Sequence, residues 1–128
     1  MKILIVVDMQ KDFISGPLGT AEARAIVPYV AEKAKNAPRE NLFVTLDTHQ
    51  PNYMETNEGR HLPVPHCIEG TEGHALDDAI AAAVDGIPAS RIIRKPTFGA
   101  VALVDALRAL HEPPEGDRNL SAYALAFA

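Results

Sequence analysis

The stretch ILIVVD, residues 3 to 8, decides the class of fold. Five aliphatic residues, four of them β-branched, follow one another without a polar interruption and end at an aspartate. A continuous apolar run of this kind predicts a strand that is covered on both faces, as in parallel sheets. Even with Met1 and Lys2 the run is too short for a signal peptide or a membrane span. We therefore expect a buried first strand.

Helical and strand-like segments alternate after this strand. Apolar residues recur at helical spacing over residues 20–36, although Pro28 is expected to kink that helix or break it into two pieces. The remaining predicted elements are a strand at 42–46, an irregular loop at 48–71, a weak helix at 75–84, a strand at 91–95 and an amphipathic helix at 101–110. This order predicts an α/β sandwich with parallel strands and right-handed crossovers.

The end of the chain departs from the alternating pattern. Residues 113–116 contain two prolines and a glycine, and DRNLSAYALAFA, residues 117–128, supplies a single apolar stretch. We therefore predict that residues 1–112 form the N-terminal part of one domain and that residues 113–128 are an atypical tail. A sheet without its later strands and helices exposes apolar surface and an open edge, which favours self-association into a homo-oligomer.

Composition excludes several classes of partner. The 128 residues carry a net charge of −5, and the twelve Lys and Arg residues form no cluster, so we expect binding neither to nucleic acid nor to an anionic membrane. The apolar fraction of 47% is ordinary for a soluble globular domain. One cysteine cannot form an internal disulfide, so we expect the protein in a reducing compartment. These features predict a cytoplasmic protein.

Charged residues follow three of the predicted strands. Asp8 follows the first, Asp47 the second, and Lys95 lies at the end of the third. Ligands of open α/β sheets bind beyond the carboxyl ends of the strands. A single aspartate there can simply cap a turn, but three charged groups at one rim predict a functional site.

The long loop carries potential metal ligands. Asp47 and His49 are two residues apart on extended chain, so their side chains share a face. Carboxylate and imidazole groups suit zinc, manganese or iron, and Glu58 and His66 could complete the site. Three further side chains compete for that role: Glu55, His61 and His74. A solvated polar loop without a metal is the alternative interpretation.

Cys67, the only cysteine, allows two interpretations. Beside His66 its thiolate could act as a nucleophile. Catalytic pairs assemble in space rather than between sequence neighbours, however, and a free cysteine is often a small buried apolar group. The sequence favours the second interpretation.

Four segments in order resemble a known family. These are LIVVDMQKDF (4–13), DTH (47–49), LPVPHCIEGTEG (62–73) and RKPTFGA (94–100). They resemble the isochorismatase-like cysteine hydrolases, and within them the nicotinamidase branch. The resemblance runs from residue 1 to about 112. It implies a parallel-sheet, three-layer sandwich, here without the family's C-terminal strands and helices.

The resemblance also implies roles for individual residues. Asp8 corresponds to the general base, and Lys95 to the cation that holds the thiolate and the developing negative charge. Asp47, His49, Glu58 and His66 correspond to the ligands of a divalent metal, with zinc favoured over iron and manganese. Phe13 and Phe98 correspond to the aromatic residues around the substrate ring. The implied substrate is nicotinamide or a related small amide, cleaved to the acid and ammonia.

One catalytic member of that family has no counterpart here. The nucleophilic cysteine is expected in a turn after a fourth strand, and residues 112–128 contain no cysteine. We therefore expect a truncated or frameshifted hydrolase that is inactive as this polypeptide. Two alternatives remain: an isochorismatase-type hydrolase and a non-catalytic metal-binding remnant. The Asp47–His49 pair argues against the first of these.

Overall fold

A computed structural model describes residues 2–96, 100–110 and 119–124. Within these residues, four parallel strands form one sheet: β1 (Lys2–Val7), β2 (Leu42–Asp47), β3 (Ile92–Lys95) and β4 (Asn119–Ala124). Their order across the sheet is β3-β2-β1-β4. The parallel α/β architecture expected from the sequence is confirmed. The segment predicted as an atypical tail supplies β4, which pairs with β1 along all six of its residues.

The described residues also form five α-helices: α1 (Lys11–Ile14), α2 (Ala21–Asn36), α3 (Asn57–His61), α4 (Asp78–Ala83) and α5 (Val101–Arg108). Alternate residues of β1 and β2, among them Val6 and Val44, form a buried cluster with Val30 of α2 and Ile80 of α4. The aliphatic run that begins the chain is thus the centre of the core. No helix in the described part of the chain is long and apolar enough to cross a bilayer.

Helix α2 runs without interruption past Pro28, so the predicted break into two pieces is wrong. The Thr20 hydroxyl caps its first turn by accepting a hydrogen bond from the Ala23 N–H at 3.0 Å. Proline removes the donor that would bond to the carbonyl of Arg24. Both residues are exposed, so water can solvate that carbonyl in place of the missing bond.

The other differences from prediction are local. Helix α4 is shorter than predicted, because Asp77 caps it through the Ala79 N–H at 3.0 Å. The loop predicted over 48–71 contains a short 3-10 helix, Tyr53–Glu55, and the single-turn helix α3. Neither is long enough to produce a periodic apolar pattern. This loop folds back over the carboxyl ends of β1 and β2, where His49 forms a bridge with Ile68.

Candidate functional site

The three charged strand ends lie at one rim of the sheet, as the sequence predicted. Lys95 at the end of β3 places its Nζ 2.7 Å from Oδ2 of Asp8, which follows β1. The two side chains are 5% and 10% exposed, so this is a buried ion pair. It bridges over β2, the strand between them, and Asp47 ends that strand. The Asp8 carboxylate and the Lys95 ammonium group are therefore held in contact at this rim.

Thr45 of β2 fixes the orientation of the Asp8 carboxylate. Its hydroxyl donates to Oδ1 at 2.7 Å, while the Asp8 N–H donates to the Thr45 carbonyl at 3.1 Å. Asp8 has a φ of 53°, in the left-handed region that non-glycine residues seldom adopt. These bonds and the ion pair hold a backbone conformation that is unfavourable by itself. The carboxylate points into the rim because the chain turns there.

Beside the ion pair, three buried side chains form a cluster suited to a metal ion. One ligand atom from each of Asp47, His49 and His66 lies within 4.8 Å of the others. Nε2 of His49 is 2.9 Å from Oδ2 of Asp47, and Nε2 of His66 is 3.4 Å from the same oxygen. Glu58 lies at the edge of the group, with Oε2 3.7 Å from Nε2 of His49.

The cluster meets the requirements of a divalent metal. Nδ1 of His66 lies 2.6 Å from the carbonyl of Val64, to which it donates in the tautomer that leaves Nε2 free to coordinate. One carboxylate and two imidazoles are ligands that zinc prefers, and iron and manganese also accept them. Burial alone would lower the pKa of His66, but hydrogen bonds to Asp47 and Val64 outweigh it and raise the pKa. The site thus favours a positive charge beside Asp47.

The competing ligands lie outside this cluster. Glu55 is exposed, and the exposed His61 bonds to the carbonyl of Asn57 at 2.8 Å. Nε2 of His74 lies 2.9 Å from the Thr48 hydroxyl. Burial, reinforced by the charge of Arg94, lowers the pKa of His74. Of the candidate ligands, the structure therefore joins Asp47, His49 and His66, with Glu58 next to them.

A small cavity separates the ion pair from the metal-suited cluster. Its lining comprises Asp8, Phe13, Leu18, Asp47, Leu62, His66 and Lys95. The buried ring of Phe13 lies 5.4 Å from the ring of His66, centroid to centroid. The cavity thus has apolar walls, an acid–ammonium pair and potential metal ligands. Phe98, predicted to face Phe13 across a substrate, lies outside the described residues.

Comparison with known proteins agrees with this geometry. The sequence model of the isochorismatase domain matches residues 2–112. The chain belongs to the isochorismatase domain family. A search of curated protein sequences returned no significant match.

Solved structures similar to this isochorismatase domain include three amidases. The pyrazinamidase of Pyrococcus horikoshii in complex with zinc is 28% identical, with a TM-score of 0.64 over 98% of this chain and 70% of that one. The yeast nicotinamidase bound to the inhibitor nicotinaldehyde is 22% identical, with a TM-score of 0.70 over 98% and 76% of the two chains. The nicotinamidase/pyrazinamidase of Bacillus subtilis is 23% identical, with a TM-score of 0.73 over 97% and 70%. The chain therefore covers between 70% and 76% of the length of these three structures, and it shares their fold.

Cys67 of this isochorismatase domain is fully buried. Burial, with the nearby charges of Asp47 and Asp12, raises the pKa of its thiol well above the ordinary value. A thiol that stays protonated at neutral pH is a poor nucleophile. The structure agrees with the interpretation of Cys67 as a small buried group.

Gln10 was not identified from the sequence, although it lies within the DMQKDF stretch of the domain. Its side chain is fully buried, and its Nε2 donates to the carbonyls of Asp47 and His74, each at 2.8 Å. Its Oε1 accepts the Asp47 N–H at 2.8 Å. Gln10 therefore fixes the backbone of a candidate metal ligand. The only sequence signal for this role was an amide side chain three residues after the end of an apolar strand.

Proposed function

We propose that this chain is a nicotinamidase-like member of its family, and that it holds a divalent metal and a small aromatic amide in the cavity between Asp8–Lys95 and the Asp47–His49–His66 cluster. The observation that carries the proposal is a small cavity lined on one side by the buried Asp8–Lys95 pair and on the other by Asp47 and His66, two of the three clustered potential ligands. The zinc complex of the similar Pyrococcus horikoshii pyrazinamidase supports zinc as the metal.

Each group in the cavity has a distinct part in this proposal. The Asp8 carboxylate is placed to accept a proton, and the Lys95 ammonium group to stabilise negative charge that develops nearby. The ring of Phe13 offers an apolar face to an aromatic substrate. Asp47, His49 and His66 would hold a zinc ion, which would supply a positive charge to bind and orient the ring nitrogen of such a substrate. Glu58 is the proposed additional ligand.

Hydrolysis of the amide by this polypeptide is not part of the proposal. Acyl transfer to cysteine requires a thiolate within hydrogen-bond reach of its base. The only thiol is Cys67, which is buried and whose pKa is raised. Loss of one member of a catalytic unit typically lowers the rate by several orders of magnitude, because the members act together. We expect binding of nicotinamide or a related amide without appreciable release of ammonia.

Titration calorimetry with zinc tests the metal site. The wild-type chain should bind one equivalent, and His49→Ala should weaken binding by more than about 100-fold, beyond the effect typical of residues that only support a ligand. His61→Ala is the matched control, because His61 is exposed and lies outside the cluster. Equal affinity of the two variants, or no zinc binding by the folded wild type, would refute the site.

A second measurement separates the proposed function from its alternatives. With zinc bound, saturation-transfer NMR should detect nicotinamide on the wild type, and Phe13→Ala should weaken that signal. Zinc binding without any amide binding would identify a metal-binding remnant instead. Ammonia release should stay near background and should be unchanged in Cys67→Ala. Turnover that Cys67→Ala abolishes would make Cys67 a nucleophile and overturn the proposal.

A further inference from the structure

Asp12 on α1 contacts the loop that carries His66, although it is not one of the three clustered ligands. Its Oδ2 accepts a hydrogen bond from the backbone N–H of Cys67 at 2.8 Å. Cys67 is fully buried, so water cannot replace this acceptor. A buried N–H without a partner is costly, and the bond to a carboxylate is among the stronger hydrogen bonds in proteins. Asp12 therefore controls the local conformation at Cys67.

The backbone of Cys67 connects the two histidines of the cluster. It follows His66 in the chain, and its carbonyl accepts the His49 N–H at 2.9 Å. It also has a φ of 48°, a left-handed conformation that is unfavourable for a residue with a β-carbon. Its N–H bond to Asp12 and its carbonyl bond to His49 maintain this conformation. A change at this one residue would move both imidazoles.

Two glycines provide the space that the Asp12 side chain occupies. A β-carbon on Gly73 would overlap the Asp12 carboxylate, and one on Gly16 would lie 2.6 Å from its Oδ1. Such overlaps cannot be accommodated without moving the carboxylate or the backbone. Neither glycine has a left-handed φ that would explain its presence. The space left for the carboxylate is a second observation, independent of the hydrogen bond.

We propose that Asp12 is a positioning residue for the metal site, which sets the spacing of His49 and His66 through the backbone of Cys67. This inference rests on the proposed metal site and adds to it a residue that does not touch the metal. Without the acceptor, Cys67 relaxes towards the extended region and the two histidines separate. The affinity for zinc then falls, because their spacing no longer matches the coordination geometry of the ion.

Zinc affinity of three Asp12 variants, measured against a competing chelator, tests the proposal. Asp12→Ala should lower the affinity about 10- to 100-fold, as is typical of residues that orient a ligand. Asp12→Asn should largely restore it, because the amide oxygen can still accept the Cys67 N–H. Asp12→Ser, whose side chain is too short to reach, should behave like Asp12→Ala and replaces it if that variant does not fold. Asp85→Ala removes the same charge at an exposed position and should match the wild type.

Amide hydrogen exchange of the metal-free chain gives a second measurement that does not depend on zinc. The Cys67 amide should exchange faster in Asp12→Ala than in the wild type, and at the wild-type rate in Asp12→Asn. Wild-type zinc affinity in Asp12→Ala, or equal weakening in Asp12→Ala and Asp12→Asn, would overturn this inference while leaving the metal site intact. A wild type that binds no zinc would refute the metal site and the inference together.

Discussion

Replacing Lys95 by methionine should destabilise the fold strongly, because it leaves the Asp8 carboxylate buried without its cation. The Lys95 Nζ and Asp8 Oδ2 atoms are 2.7 Å apart, and neither side chain is more than 10% exposed. Removal of one partner from a pair this well buried typically costs about 3–5 kcal/mol. At about 2.1 cal/mol/K per residue, 128 residues have an unfolding entropy of about 0.27 kcal/mol/K, so Tm should fall by roughly 11–19 °C.

The double variant Asp8→Asn/Lys95→Met distinguishes the stability lost by burying a lone charge from the stability lost through poorer packing. It removes both charges, and the side-chain oxygen of the introduced asparagine can still accept the Thr45 hydroxyl, so most of the lost stability should return. Urea denaturation followed by circular dichroism, with scanning calorimetry for Tm, gives both quantities. A loss below about 1 kcal/mol in Lys95→Met, or a double variant no more stable than the single one, would show that the pair is not desolvated as described.

Three further predictions concern other groups. Cys67 should resist alkylation by iodoacetamide in the folded chain and react readily in urea, since it is buried and its pKa is raised; rapid reaction of the native chain would contradict this. The lowered pKa of His74 means that the unfolded chain binds a proton first on acidification, so this residue destabilises the fold as pH drops below about 6.5, whereas the raised pKa of His66 acts in the opposite direction. The urea midpoint at about pH 5, relative to that at about pH 7, should therefore be higher in His74→Gln than in the wild type, and an unchanged difference would contradict this. Self-association stays a prediction from the position of β3 at the edge of the sheet that the described residues form and from the 79% exposed Val101. Sedimentation velocity that shows only monomers would refute it.

The elements with strong local signals could be predicted from the sequence. Strand β1 followed from an uninterrupted aliphatic run, and α2 from its apolar period and its capping threonine. Asp8, Asp47 and Lys95 could be placed at one rim because parallel strands end on the same side. Asp47 and His49 could be paired because alternate residues of extended chain share a face.

The remaining features depend on contacts between distant parts of the chain. Gln10 and Asp12 act on residues 37 and 55 positions away, and no local pattern encodes such partners. The left-handed backbone at Asp8 is held by Thr45 and cannot be read from an aspartate alone. The uninterrupted α2 also depends on surroundings, because Pro28 is tolerated where water reaches the helix.

The side chain of Gln10 takes the place of a neighbouring strand in the hydrogen bonds of Asp47. Its carboxamide presents to Asp47 one donor and one acceptor, the same pair that the peptide group of a neighbouring strand would offer. The main chain of β1 can therefore leave the sheet at Asp8 while the last residue of β2 remains paired, and the departure opens the space in which a ligand can sit. Glutamate, which has nearly the same shape, lacks the donor and would direct an anion at two carbonyl oxygens. The end of the sheet thus contains a recess, and the N–H and the carbonyl of Asp47 beside it are still hydrogen-bonded.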